Sequence, residues 1–165
     1  MTMTPCPYST NRQQGFTLIE LIMIIVLLAI LSATVYVRWP VGMEEDAAAK
    51  EFRRALRYAQ HKAMTRQFTN NAAAWGLTVN GDFSYTLERI DGSEQAEPEY
   101  VNRCLNSENP PPCAIPLAGG PVYFNGLGEP LDGAGNPIAG ATIFIIGAAP
   151  NNRNITVSAE TGYVN

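Results

Sequence analysis

Between residues 16 and 37 the chain reads FTLIELIMIIVLLAILSATVYV, twenty-two positions that hold a single ionisable side chain, Glu20. No other stretch limits the fold so severely. As an α-helix it is roughly 33 Å long at about 1.5 Å per residue, enough to cross the hydrocarbon core of a bilayer. The apolar core of a cleaved secretory signal runs to only about 7–15 residues, so a lasting membrane helix fits the length better. Ahead of it, residues 1–15 (MTMTPCPYSTNRQQG) are polar, hold two prolines and show no periodicity, as a leader would. Behind it, Pro40 removes a backbone donor, clashes with the carbonyl of Tyr36 and biases Trp39 away from helical geometry. A kink or break is therefore expected near 38–42, helped by Gly42.

Helical patterning resumes at about residue 43. Glu44, Glu45 and Asp46 open this helix and Lys50, Arg53, Arg54, Arg57, Lys62 and Arg66 follow, a polarity that complements the helix dipole. Phe52, Leu56, Ala59 and Ala63 recur at spacings of four, three and four, which makes a narrow apolar stripe suited to a flat partner such as a sheet. The polar cluster Thr69-Asn70-Asn71 predicts the end of the helix near 68–70. From Ala74 the period changes to two. Residues 75–79 and 83–90 read as a hairpin around Asn80-Gly81-Asp82, with Asn-Gly supplying the positive φ of the turn. Residues 91–121 read as an acidic, proline-rich loop. Further strands are expected at 122–124, 141–146 and 154–158, with a final Tyr163-Val164 after a Thr161-Gly162 turn. Four to six short strands after a helix predict an α+β plan. The expected layout is a leader over 1–15, a membrane-spanning helix over 16–39, and a domain over 40–165 in which an amphipathic helix packs on an antiparallel sheet.

Overall the chain is 46% apolar and 16% charged, with net charge −4. This balance gives no footprint for nucleic acid, which needs a basic patch. Three cysteines are present. Cys6 lies in the leader, while Cys104 and Cys113 flank a proline-rich loop and suit a structural disulfide in an oxidising compartment. Two free thiols are the alternative; a zinc site would need two more ligands, with only His61 at hand. His61 itself sits among basic residues, where a solvated or capping role outweighs catalysis. The Asp132-Gly-Ala-Gly-Asn136 segment has the flavour of a calcium loop, but only Asp132 and Glu129 would bring carboxylates. Asn154-Ile-Thr matches a glycosylation sequon. The sequence holds no phosphate-binding glycine loop, nucleophile elbow or two-histidine metal motif, so neither an enzyme nor a cofactor is expected.

The junction Gly15-Phe16-Thr17-Leu18-Ile19-Glu20 resembles the processing site of type IV prepilins and type II secretion pseudopilins. The resemblance implies that a prepilin peptidase cuts after Gly15 and N-methylates Phe16. It also implies a subunit held in the inner membrane, with its C-terminal domain outside the cytoplasm. Its implied partners are other pilins or pseudopilins and an inner-membrane assembly platform. Glu20 is costly in an apolar helix. The family pattern pairs it with the Phe16 amine of a neighbouring subunit in the filament core; snorkelling to the headgroups is the alternative. Further along, EFRRALRYAQHKAMTRQ followed by AWGLTV, and the ending NITVSAETGYV, resemble the H-type pseudopilins and the FimT-type and MSHA-type minor pilins. Charge counting alone gives the opposite orientation, since Arg12 is outnumbered by Arg38, Lys50, Arg53, Arg54 and Arg57 beyond the helix; the motif outweighs it. The competing class is a membrane-anchored extracytoplasmic ligand-binding module.

Overall fold

The computed structural model describes residues 16–37, 42–66, 71–94, 96–105 and 111–165, and side chains of the first helix through Ser32. The chain divides into two compact units, the first ending at residue 40. The first unit contains helix α1, Leu18–Val37. Among the residues described to side-chain level, no helix is long and apolar enough to cross a membrane. The expected kink at Pro40 lies outside the described residues.

The second unit is α+β. Helix α2 spans Met43–Thr65, with Gly42 preceding it at φ 98°. Seven short strands follow: β1 Trp75–Val79, β2 Tyr85–Arg89, β3 Leu117–Ala118, β4 Val122–Phe124, β5 Pro130–Leu131, β6 Thr142–Ile146 and β7 Arg153–Val157. They form two antiparallel sheets, ordered β2-β1-β4-β5 and β3-β6-β7, where the sequence suggested one. The chain crosses between the sheets three times, and the shortest crossing is Gly119-Gly120-Pro121, between β3 and β4. A Cβ at Gly119 would stand 2.3 Å from the Phe144 ring, so only glycine lets the chain pass over β6 as it crosses.

One helix face serves both sheets. Ala48, Ala49, Phe52, Ala55, Leu56, Ala59 and Ala63 are all buried, because the small residues let the helix approach the strands closely. Phe52 is the large member. Its ring meets Tyr85 of β2 edge-on, with centroids 5.3 Å apart, and Phe144 of β6 at 5.0 Å. Both are favourable edge-to-face geometries. Lys62, at the far end of the face, is buried too: its ammonium lies 3.5 Å from the centre of the Trp75 ring and pairs with Glu97.

The hairpin β1–β2 forms as expected, with Trp75 opposite Arg89 through Val79 opposite Tyr85. Its turn departs from expectation. The left-handed conformation falls on Phe83 (φ 66°), not on Asn80 or Gly81. The Phe83 N–H donates to the Asn80 carbonyl (3.1 Å), and the Asp82 carboxylate accepts from the Ser84 N–H and hydroxyl at 3.1 and 2.6 Å. A longer turn anchored by Asp82 thus replaces the two-residue Asn-Gly turn.

Residues 91–121 are more than a loop. They include a short 3₁₀ turn, Pro98–Tyr100, and strand β3, and Leu105, Ile115 and Leu117 sit in the main core. Arg103 forms a two-bond antiparallel bridge with Tyr85 on the outer side of β2 (2.9 and 3.0 Å) and an ion pair with Glu51 of α2 at 2.8 Å. Cys104 and Cys113 are disulfide-bonded, and the Cys113 N–H donates to the Asp82 carbonyl of the hairpin turn (3.1 Å). At the other rim, residues 163–165 pair along β7 through the Val157–Val164 bridge and bonds between Thr156 and Asn165. The outer sides of β2 and β7 are therefore covered, which protects them from pairing with other chains.

Two measurements check this packing. Phe52→Ala removes a ring that touches both sheets and should cost about 3–5 kcal/mol of stability, read by urea unfolding. The Cys104–Cys113 bond should make the intact mass two hydrogens lighter than that of the reduced protein. Reduction should cost up to about 3 kcal/mol for so short a loop; two alkylatable thiols in unreduced native protein would refute the bond.

Candidate processing and assembly site

The motif residues lie at the start of α1, and the local geometry follows from two of them. Thr17 is the residue before the first helical position. Its side-chain Oγ1 accepts from the Glu20 N–H at 3.3 Å, and its carbonyl accepts from the N–H groups of Glu20 and Leu21 at 3.1 and 3.2 Å. Thr17 is thus the N-cap, and Thr17-x-x-Glu20 has the spacing of a capping box. The sequence reading missed this role, although the Thr-x-x-Glu spacing signals it. Glu20 also places a carboxylate in the first turn, where the positive end of the helix dipole favours it.

Beyond the cap, α1 is apolar on every side. Phe16 is 76% exposed, and Leu18, Ile19, Leu21, Ile22 and the large residues onward to Leu31 are all exposed. So large a bare apolar surface marks a segment that takes its partner from outside, whether lipid or protein. One polar group within it is quenched locally. Ser32 donates its hydroxyl to the Leu28 carbonyl at 2.7 Å, one turn back, which removes the cost of carrying a hydroxyl into an apolar medium. Glu20 is the exception, the one carboxyl group among the described side chains of this surface. Gly15, the residue expected before the cut, lies outside the described residues.

The other candidates fall elsewhere and do not converge. His61 is exposed on α2, and Asn154 is exposed on β7. The Asp132 carboxylate accepts from the N–H groups of Asn136 and Ala134 at 2.8 and 2.9 Å. These bonds, that from Asn136 first, hold its carboxyl below the usual range and commit it to shaping its own turn. Glu129 accepts from the Asn125 side chain at 2.8 Å. Among the described residues, no group of three or more His, Cys, Asp or Glu could hold a metal ion. A cleft of about 270 Å³ lined by Asn71, Ile90, Asp91 and Gly133–Gly135 is open and carries no convergent set of polar side chains.

No curated protein and no solved structure matches the chain. Residues 10–36 match the family described as the prokaryotic N-terminal methylation motif. That span runs from the polar leader through Phe16, the Thr17 cap and Glu20 to near the end of α1, and the motif is the hallmark of pilin precursors cut by a prepilin peptidase. The N-terminal segment of the chain thus carries the methylation motif that is the hallmark of the type IV pilin and pseudopilin family.

Proposed function

We propose that the protein is a minor pilin or pseudopilin subunit of a type IV pilus or a type II secretion pseudopilus. It is cut after Gly15, methylated on Phe16, and held in the inner membrane by the helix over 16–39 until the assembly platform extracts it into a filament. The observation that carries this reading is the pairing of the methylation motif with a helix apolar on all sides but for one carboxylate in its first turn. An anchor alone has no use for that carboxylate. A filament has, because packing such helices together leaves a low-dielectric interior in which an unpaired charge is costly.

In this role the Phe16 amine and Glu20 are complementary. The capped first turn holds Glu20 four residues from the new terminus, and the amine of a neighbouring subunit completes the pair. The second unit supplies the filament surface; it is a binding and packing module with no catalytic function. The disulfide suits the oxidising side of the membrane.

Processing is tested by N-terminal sequencing of the protein from sheared filaments. The expected terminus is N-methylated Phe16, and Gly15→Val should retain the leader. Filament-borne protein beginning at Met1 or Thr2 would refute processing.

Glu20→Leu separates assembly from anchoring. Breaking a buried pair by removing one member costs roughly 3–5 kcal/mol. With about 1.4 kcal/mol per tenfold, the lower figure predicts that the ratio of filament to membrane protein falls by roughly a hundredfold. Cleavage should be nearly unchanged. An unaltered ratio with normal processing would show that Glu20 has no assembly role.

A further inference from the structure

Three loops meet at one end of the second unit. Late in α2, Lys62 lies on Trp75 and pairs with Glu97; earlier in it, Phe52 meets Tyr85 and Glu51 pairs with Arg103. The Tyr85 end of β2 thus lies toward the start of α2, and the hairpin tip over 80–84 projects further that way. The Cys113 N–H donates to the Asp82 carbonyl at 3.1 Å, and the Gly147 N–H to the Pro116 carbonyl at 2.8 Å. Gly147 in turn packs against Glu45 of α2, whose side chain a Cβ there would strike at 2.6 Å. The hairpin tip, residues 111–116 and residues 147–152 are thereby linked in series to the first turn of α2.

These loops are nearly free of charge. They read NGDFS, PPCAIP and GAAPNN, and their one acidic side chain, Asp82, is engaged by Ser84. Pro112, Ala114, Ala148, Ala149 and Pro150 are exposed, and so is Phe83, at 40%. The other end differs: Arg66, Arg89, Asp91 and Glu94 form an ion network there. Phe83 stands at φ 66°, where a side chain crowds the backbone and a bulky residue is an outlier. A glycine would hold this turn without strain, so the turn itself gives no reason for a phenylalanine. What the residue supplies is an aromatic ring held out at the tip, and strain kept at such a place points to a function.

The covalent chain says what this end faces. Only residues 38–42 join Val37 to Met43, and fully extended they span about 20 Å. In a chain anchored by its apolar helix, the start of α2 and the loops linked to it therefore stay near the bilayer. We propose that Phe83, with the uncharged loops beside it, docks on the surface of a zwitterionic lipid bilayer while the subunit is held in the membrane. Apolar side chains at such a surface reach about 5–10 Å into the boundary between head groups and acyl chains. Glu44, Glu45 and Asp46 in the first turn of α2 favour neutral lipid, since an anionic surface repels them. The inference rests on the membrane anchoring proposed above, but on residues outside the methylation motif.

The test uses the full-length chain with Cys6→Ser, reconstituted in phosphatidylcholine vesicles. Gly81→Cys places a thiol for a fluorescent NBD label beside Phe83, at a position where a Cβ meets nothing within 4 Å. Leu127→Cys is the control: Leu127 is 77% exposed, and its neighbour Gly128 packs on Gln60 and Met64, late in α2. Phosphatidylcholine spin-labelled near the glycerol end of its acyl chain should quench the label at position 81 at least about twofold more than that at 127, given the depth such side chains reach. Phe83→Gly should abolish that difference and Phe83→Trp should keep it. High salt should leave it unchanged, because the contact is apolar. A fully formed Cys104–Cys113 bond confirms that each variant folds.

Equal quenching at 81 and 127, in protein that floats with the vesicles, would overturn the proposal. So would quenching at 81 that Phe83→Gly leaves unchanged, because the tether alone would then hold the tip at the surface. A label at 81 that shifts to the blue without being quenched would assign Phe83 to a protein surface, and that too would overturn it. Protein that does not float with the vesicles at all overturns the anchoring itself, a result distinguishable from each of these.

Discussion

The second unit depends on one contact. Phe52 of α2 lies edge-on to Tyr85 in one sheet and to Phe144 in the other, within 5.3 and 5.0 Å. The two sheets of four and three short strands share no backbone ladder bonds, and the buried face of α2 that carries this ring packs on both. Apart from Lys62 at its far end, the rest of the helix face is alanine with a single leucine, and small side chains bring the helix axis close to the strands. A longer residue in place of Ala48, Ala55 or Ala59 would lift the helix away and open that contact.

The segment between β2 and β3 makes the same point with polar groups. It covers the open side of β2 through Arg103, reaches α2 through the pairs Arg103–Glu51 and Lys62–Glu97, and is closed by the Cys104–Cys113 bond. Its proline-rich, acidic composition reads as loop because turns dominate it, yet three of its side chains, Leu105, Ile115 and Leu117, belong to the core. Burying Lys62 is tolerable because its charge has both an aromatic face and a carboxylate to meet.

The first unit follows a different logic. Its helix has no apolar face because every face is apolar, so packing within one chain cannot satisfy it. What structure it has is set locally, by the Thr17 cap at one end and the Ser32 back-bond within. The second unit, by contrast, buries an apolar core of its own.

The amino-acid sequence by itself determined whatever depends on short range. The apolar run with its lone Glu20, the Gly15-Phe16 junction, the start of α2 near residue 43, the Phe52-Leu56-Ala59-Ala63 stripe and the presence of the first hairpin were all legible there. Each rests on periodicity or on a few adjacent residues, and such signals survive without knowledge of the fold. Tertiary structure decided the rest. The strands divide between two sheets, and the shortest crossing between them passes Gly119 over the Phe144 ring, a contact between residues twenty-five apart. The turn at Asp82-Phe83 overrides the local preference of Asn-Gly, because the hairpin end must also receive Cys113. The loop residues Leu105, Ile115 and Leu117 carry no periodic pattern, since what buries them is the place to which Arg103 and the disulfide bring the chain. Long-range contacts of this kind are invisible along the sequence because their partners are adjacent only in space.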